Sequence, residues 1–349
     1  MLFRSGVTTT GVVARLMNPD GTFAGPAFAV MPGMNPSVEA LNGRFCIAAT
    51  RFATNPQFID LWVKRLDADG SALDPASGVA VSGGYHNGLT RTRTDGAQWF
   101  VCSHSQWTHN SSQADAVIAR VPFTGTPTTG SNPTPFSGGS GDPDIAFSGS
   151  KYLVVWRNNN LANANNYIAG RLMNLDGTFG PSFTIAEAAG RQLRPTAIWD
   201  GSAFIVAWDD QRHQSQFYDE RTDVYAARVS EAGAVLDPAG LPLIVQPDGD
   251  ASPSLLRVGG LTFTTTTRFT TTAGYDSYRV GLSRLGVPAC DPDVNRDGNV
   301  DQDDLLYLVN VTGGGPNPTG IDPDFNHDGN VDQDDIAALI EVVAGGPCP

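Results

Sequence analysis

The segments Pro195-Thr-Ala-Ile-Trp199, Ala203-Phe-Ile-Val-Ala-Trp208, Asp223-Val-Tyr-Ala-Ala-Arg228-Val229 and Leu241-Pro-Leu-Ile-Val245, the first two joined by a turn at Asp200-Gly201, set the architecture of this chain. Each is short, apolar and rich in β-branched or aromatic residues, and the intervals carry glycine and aspartate, so the stretch reads as four antiparallel strands. The preceding stretch repeats the pattern with Pro143 to Phe147, Lys151 to Trp156, Tyr167 to Leu172 and Ser182 to Ile185. A turn glycine behind an arginine-bearing strand recurs at Gly21, Gly70, Gly125, Gly177, Gly233 and Gly286. A second series, Gly43, Gly96, Gly149, Gly201 and Gly260, separates the first two strands of each unit. Both series step by about 50 residues, and a four-stranded unit of that length is a β-propeller blade.

Counting outward gives five first, second and fourth strands and six third strands, because the chain opens inside a unit. The last unit, from Pro253, lacks a fourth strand, and the segment Gly25 to Val30 is expected to supply it, closing a five-bladed ring without a free sheet edge. A six-bladed ring with its first half-blade missing is the alternative. Residues 1–287 form this repeat domain and residues 288–349 a separate small domain. The segment Met1 to Asp20 has no apolar core or cleavage site of a secretory leader, so the start is expected to be truncated.

Composition narrows the function. The 349 residues carry a formal charge of −14, but residues 290–349 hold 12 Asp and one Glu against one Arg, Arg296. The body is therefore nearly balanced, with no basic face on which nucleic acid could condense. No run of about 18 apolar residues predicts a membrane span.

The acidic tail contains two nearly identical runs, Asp293-Val-Asn295-Arg-Asp297-Gly-Asn299-Val-Asp301-Gln-Asp-Asp304 and Asp324-Phe-Asn326-His-Asp328-Gly-Asn330-Val-Asp332-Gln-Asp-Asp335. Oxygen donors at positions 1, 3, 5, 9 and 12, a carbonyl at 7 and glycine at 6 are what a twelve-residue Ca²⁺ loop requires. Each run predicts one ion, and both should unfold without it, because crowded carboxylates repel one another. A helix follows each run, with Leu305, Leu308 and Val309 predicted on one face of the first and Ile336, Leu339, Ile340 and Val343 on one face of the second. Pro292 and Pro323 stand before the first ligands, so no helix enters the loops. Cys290 and Cys348 bracket the tail and are paired as a disulfide in this reading, which places the protein in an oxidising, extracellular or cell-surface compartment.

Two resemblances follow from these residues. The Trp208-Asp-Asp-Gln-Arg212 run followed by Asp223-Val-Tyr-Ala-Ala-Arg resembles the repeats of secreted bacterial propellers; here Arg212 and Asp223 are expected to pair across neighbouring strands and Trp208 to pack in the core. The tail, with its paired loop-then-helix segments offset by 31 residues, resembles the dockerin family. That resemblance implies an all-α calcium-binding domain whose residues Gln302, Asp303, Gln333 and Asp334 contact a cohesin-like receptor. It departs from the common hydroxyl or apolar pair at those positions, and a calcium-stiffened module without a receptor is the alternative.

Catalytic signals in the body are sparse. There is no nucleophile elbow, zinc helix or phosphate loop, and Cys102, His104 and His109 lack a zinc spacing. Cys46 and Cys102, in successive second strands, are either core thiols or a bridge between blades. Dockerin-bearing proteins are often polysaccharide-degrading enzymes, and arabinanase-like glycosidases are five-bladed propellers that use a pair of carboxylates. Glu39, Glu187, Glu220 and Glu231 are the body's only glutamates, and Asp209, Asp210, Asp219 and Asp223 belong to the repeat or its long hairpin. Asp144, Asp200 and Glu187 are the acids placed to line a central funnel, without assigned roles. The leading expectation is a propeller that binds or displays a glycan or protein ligand, linked to polysaccharide breakdown, and the alternative is a glycoside hydrolase.

Overall fold

A computed structural model of the chain describes residues 2–5, 11–52, 59–82, 90–106, 114–127, 140–159, 166–213, 222–245, 250–258, 261–272, 275–285, 292–297, 299–319, 321, 323–326 and 330–344. It divides into two compact units, Met1–Arg284 and Leu285–Pro349.

The first unit is all β. Its strands form six antiparallel sheets in chain order, each a meander of neighbours. The first comprises β1 (Leu2–Ser5), β2 (Gly11–Arg15) and β3 (Phe28–Pro32), and the second β4 (Met34–Leu41), β5 (Arg44–Phe52), β6 (Ile59–Leu66) and β7 (Val79–Ser82). The third holds β8 (Arg91–Thr94), β9 (Gln98–Gln106) and β10 (Ala114–Pro122), and the fourth β11 (Ser140–Phe147), β12 (Lys151–Asn159), β13 (Asn166–Asn174) and β14 (Phe179–Ala186). The fifth is β15 (Gln192–Trp199), β16 (Phe204–Asp210), β17 (Asp223–Val229) and β18 (Leu241–Ile244), and the last β19 (Asp250–Val258), β20 (Leu261–Thr272) and β21 (Tyr275–Leu285). The first strands of successive sheets, β4, β8, β11, β15 and β19, lie beside one another.

Alternation along each second strand explains how the sheets pack. Cys46 and Ala48 join Trp99 and Val101 in a core between the second and third sheets, while Ile47 and Ala49 join Val12 and Val30 between the first and second. Val154 and Trp156 meet Phe100 and Cys102 on one side of β12, and Leu153 and Val155 meet Phe204, Val206 and Trp208 on the other. A strand buried on both faces by neighbouring sheets is the packing of propeller blades. Trp208 is core, as its sequence context predicts.

The turn glycines explain the strand connections. Gly21, Gly70, Gly125, Gly177 and Gly233 take φ of 84–88°, and Gly43, Gly96, Gly149 and Gly201 are likewise left-handed, a conformation open to glycine at little cost. The third-strand arginine fixes the turn beyond it. Arg65 binds Asp74 through its amide, Nε and Nη2 at 2.6–2.9 Å, and Arg228 repeats the arrangement with Asp237 at 2.8–3.0 Å.

Two expectations are corrected, and the alternative left open for Cys46 and Cys102 is decided. Strand β3 does not complete the last sheet: it pairs with β2, which pairs with β1, so residues 2–32 make a sheet of their own. Six sheets therefore stand where five closed blades were expected, the number of the six-bladed alternative, and among the described residues no strand of the last sheet pairs with one of the first. Pairing β3 with its chain neighbour closes a short loop, whereas exchange with β21 would close nearly the whole unit. The Arg212–Asp223 pair does not form either: Arg212 lies over the Tyr225 ring at 3.8 Å and grips Asp210 at 2.7 and 2.9 Å, while Asp223 Oδ2 accepts from His213 Nδ1 at 2.9 Å. Asp210 and Asp223 are cross-strand partners, so Arg212, two residues past Asp210, folds back onto the nearer carboxylate. Cys46 and Cys102 are free, buried thiols whose side chains enter different inter-sheet cores, which rules out a bridge.

The second unit contains α1 (Gln302–Thr312) and α2 (Gln333–Val343). Val294, Leu308, Phe325 and Leu339 form its buried core, flanked by Leu305, Tyr307, Ile321, Ile336 and Val343. Val309 and Ile340, placed from sequence on one face with Leu308 and Leu339, are exposed while those leucines are buried, and Val311 is buried as well. Neither helix is long and apolar enough to cross a membrane. Cys290 and Cys348 lie outside the described residues.

Candidate functional site

Four of the five first strands open with the same distortion. Asn35-Pro36, Asp142-Pro143, Arg194-Pro195 and Ser252-Pro253 each sit where the first strand carries one residue more than the second, and the residue before proline has φ between 48 and 58°. This is a β-bulge: proline cannot donate to a ladder, so a bulge accommodates it, and the extra residue turns its side chain away from the regular alternation. Strand β8 has no such proline and carries Arg91 and Arg93 instead.

Around these strands lies a network of charges. Asp144 on β11 is fully buried, and its Oδ2 accepts from Arg93 Nη2 at 2.7 Å, Thr196 Oγ1 at 2.9 Å and the Ala197 amide at 3.1 Å, with Arg91 Nη1 at 4.0 Å. Burial works to raise its pKa, but Arg93, Arg91 and these hydrogen bonds outweigh that and hold the carboxyl below the usual range. Glu39 on β4 is half-buried and shifts the other way: burial pushes it up, Arg93 pulls it back, and the Asp144 charge adds to the rise. One guanidinium thus acts on two carboxyls that titrate in opposite directions.

A second cluster surrounds Asp209. Its carboxylate is fully buried, contacts Arg194 Nε and accepts the Ser252 amide at 2.8 Å. Burial nevertheless raises its pKa to about 6, against the pull of Arg194. Arg157 Nε binds Asp142 at 3.0 Å, and Arg191 Nε donates to Asn166 at 3.1 Å.

The acids singled out from sequence separate in the structure. Asp144 belongs to the central network. Asp200 caps its own turn, accepting from the Ser202 and Ala203 amides at 2.7 and 2.8 Å, and Glu187 is exposed. Glu231 accepts from Ser150 at 2.6 Å. Asp210 is fully buried beneath Arg212 and accepts from Trp208 Nε1 at 2.8 Å. Asp219, Glu220, His109 and the His104 side chain lie outside the described residues. The arginines of the network, Arg91, Arg93, Arg157, Arg191 and Arg194, were not found from sequence. The available signal was spacing: Arg93, Asp144 and Thr196 lie 51 and 52 residues apart, one repeat each.

In the tail the loop side chains bend onto their own backbone. Asp293 Oδ1 and Asn295 Oδ1 accept the Asp297 amide at 3.0 and 2.8 Å, and Asp297 Oδ1 accepts the Asn299 amide at 2.8 Å. Asp304 is fully buried; its two oxygens take the Asn295 and Asp301 amides at 3.1 and 2.9 Å. Asp335 repeats this with Asn326 and Asp332 at 3.0 and 2.8 Å. Asp301 and Asp332 cap the helices, and Asp304 and Asp335 complete capping boxes. Gln302, Asp303, Gln333 and Asp334 are exposed on the first turns. Among the described residues no three His, Cys, Asp or Glu side chains converge on one metal position; Asp324 and Asn330 are described, whereas Asp328 is not.

No protein-family model matches the chain, and no curated protein does. Solved structures do. An α-L-arabinanase from Penicillium chrysogenum, complexed with arabinobiose, is similar over 75% of this chain and 82% of its own, with 11% identity and a TM-score of 0.50. An α-L-arabinofuranosidase from Fusarium graminearum aligns over 79% of this chain and 85% of its own, with 14% identity and a TM-score of 0.49. At these identities the likeness is one of fold: the Met1–Arg284 unit is an all-β, propeller-type repeat of the kind found in the arabinanase.

Proposed function

We propose that the β unit is a polysaccharide-directed propeller that hydrolyses glycosidic bonds. Its dockerin-like tail folds on two Ca²⁺ ions and attaches it to an extracellular or cell-surface assembly through a cohesin-like receptor. The carrying observation is the pair of inner-strand carboxyls with opposite shifts, Glu39 raised and Asp144 lowered, both acted on by Arg93. Glycoside hydrolysis needs one carboxyl that keeps its proton and one that does not. Glu39, half-buried, is the proton donor in this reading, and Asp144 is the ionised group that helps keep the proton on it. The arabinanase named above acts in the same chemical class on a similar fold.

For the tail, the supporting observation is the treatment of Asp304 and Asp335. Each is a carboxylate with no solvent exposure, met by two backbone amides and by no cationic side chain among the described residues. An all-oxygen donor set of Asp293, Asn295, Asp297, Asn299, Asp301 and Asp304, repeated at Asp324, Asn326, Asp328, Asn330, Asp332 and Asp335, fits a hard cation. The Cys290–Cys348 bridge belongs to this proposal.

A second reading, a propeller that binds glycan without cleaving it, is favoured by one fact: Asp144 is saturated by Arg93, Thr196 and the Ala197 amide. Incubating the full chain with Ca²⁺ and arabinan or arabinoxylan separates the two. Release of reducing sugar that falls at least about a hundredfold in Glu39→Gln supports hydrolysis. Retention of the protein on the polysaccharide without release overturns it in favour of binding.

A further inference from the structure

Three inner strands meet at one hydroxyl. In each bulged first strand the residue two past the bulge holds the same register position: Ser37 opposite Ala48, Asp144 opposite Val155, Thr196 opposite Ala207 and Ser254 opposite Thr265. Ser37 Oγ shares a hydrogen bond of 2.7 Å with Thr92 Oγ1, and Thr90 Oγ1 donates to the Asn35 carbonyl at 2.6 Å. These contacts fix β4, which carries Glu39, against β8, which carries Arg93. Thr196, fully buried on β15, donates its hydroxyl proton to Asp144 Oδ2 at 2.9 Å and accepts from Arg93 Nη2 at 3.2 Å. A hydroxyl has one proton to give and lone pairs to receive, and here both capacities are spent on the two charged partners.

We infer that Thr196 is a positioning residue for the Glu39–Asp144 pair: its hydroxyl ties the Arg93 guanidinium to Asp144 and so keeps it off Glu39. The inference rests on the hydrolytic reading above and adds a residue to it. Arg93 makes both of its hydrogen bonds through Nη2, so its contact with Asp144 is not the two-nitrogen fork that would fix an arginine unaided. With β4 and β8 locked together, the guanidinium is the part of this network free to swing. Its charge acts on both carboxyls, and its place decides how protonation is divided between them. Docked on Asp144 it keeps that group ionised; moved toward Glu39 it would favour the ionised form there, and the pair would lose its proton donor. The other titratable and charged groups around them are Arg91, with Nη1 at 4.0 Å from Asp144, and the thiols of Cys46, opposite Glu39, and Cys102, opposite Arg91. Burial pushes both thiols up, so they stay neutral.

The test reads the carboxyl itself. The chain has only five glutamates, so isotope-labelled glutamate in the full chain with Ca²⁺ gives few side-chain carboxyl signals, and Glu39→Gln identifies the one that belongs to Glu39. Thr196→Val, which keeps the shape and removes the hydroxyl, should lower the Glu39 titration midpoint by about half a pH unit or more, and Thr196→Ser, which keeps the hydroxyl, should leave it at the wild-type value. Near-UV circular dichroism checks the fold of both, and Thr196→Ala, which cannot overpack the site, takes the place of Thr196→Val if that variant is unfolded. On arabinan the hydroxyl-free variant should show the basic limb of its kcat profile moved down by the same interval, with KM unchanged. An unmoved Glu39 midpoint in the folded hydroxyl-free variant, or a shift of equal size in Thr196→Ser, overturns this inference. A shift confined to the hydroxyl-free variant, in a protein that turns over no polymer, overturns the hydrolytic reading and leaves the coupling of Thr196 to Glu39 standing.

Discussion

In the β unit Asp144, Asp209 and Asp210 are removed from solvent and each meets an arginine; in the helical unit Asp304 and Asp335 are removed from solvent and, among the described residues, meet backbone amides and no cationic side chain. Taking a carboxylate out of water costs several kcal/mol unless charge and hydrogen bonds return it. The first unit meets that cost from within its own sequence, with 21 bases against 23 acids in residues 1–289. The second has a single arginine among 13 acids and, among the described residues, sets backbone amides against its two buried carboxylates; in the calcium-binding proposal a cation supplies the rest. The lesson is that burial of an aspartate is by itself neutral as evidence: the identity of its partner decides whether it is a structural ion pair or half of a cation site.

The contrast is most directly broken by chelation. Excess EGTA should abolish most of the helical far-UV signal contributed by α1 and α2 while the β signal of the first unit persists; unchanged helix under EGTA would mean that the amides suffice and that the two units do not differ. Next in size, Asp144→Asn should destabilise the β unit by about 3 kcal/mol or more, read from the denaturant midpoint, because it removes the fully buried carboxylate that takes the Arg93, Thr196 and Ala197 donors. Asp304→Asn, by contrast, should change stability strongly with Ca²⁺ present and little without it, and equal effects in both conditions would count against a cation there.

The smallest effect sharpens the comparison inside the β unit. Asp209 has a folded pKa of about 6 against an ordinary 3.8, so its folding contribution is fully present below about pH 4 and is lost as pH rises through 6. Wild-type stability relative to Asp209→Asn should therefore fall by about 3 kcal/mol between those limits. Asp144, held low by Arg93, contributes in the opposite sense, losing its stabilisation as pH falls. A flat difference curve for Asp209 would show that Arg194 keeps it ionised throughout.

The repeat was legible because it is local: turn glycines need a left-handed φ and strand alternation needs only neighbours, so Gly70, Gly177 and Gly233 announce themselves in sequence. The buried Leu308 and Leu339 were legible for the same reason, whereas Asp301 and Asp332 read as metal ligands and their role as helix caps did not show. The charge network was not, because each contact joins residues a full repeat apart, as Arg93 does with Asp144. Closure was misread because a missing strand says nothing about which neighbour supplies it, and β3 found a nearer partner in β2. Arg212 was assigned to Asp223 on strand pairing alone, whereas the Tyr225 ring beneath it steers the guanidinium to Asp210.

The bulge before each inner-strand proline has a further consequence. One backbone conformation is occupied by an amide, an acid, a base and a hydroxyl, at Asn35, Asp142, Arg194 and Ser252. Because the inserted residue absorbs the register, the ladder behind it resumes unchanged whichever side chain stands there. The rim can therefore change its chemistry one socket at a time while the scaffold stays as it is, which is the property that lets one architecture be retuned to many ligands.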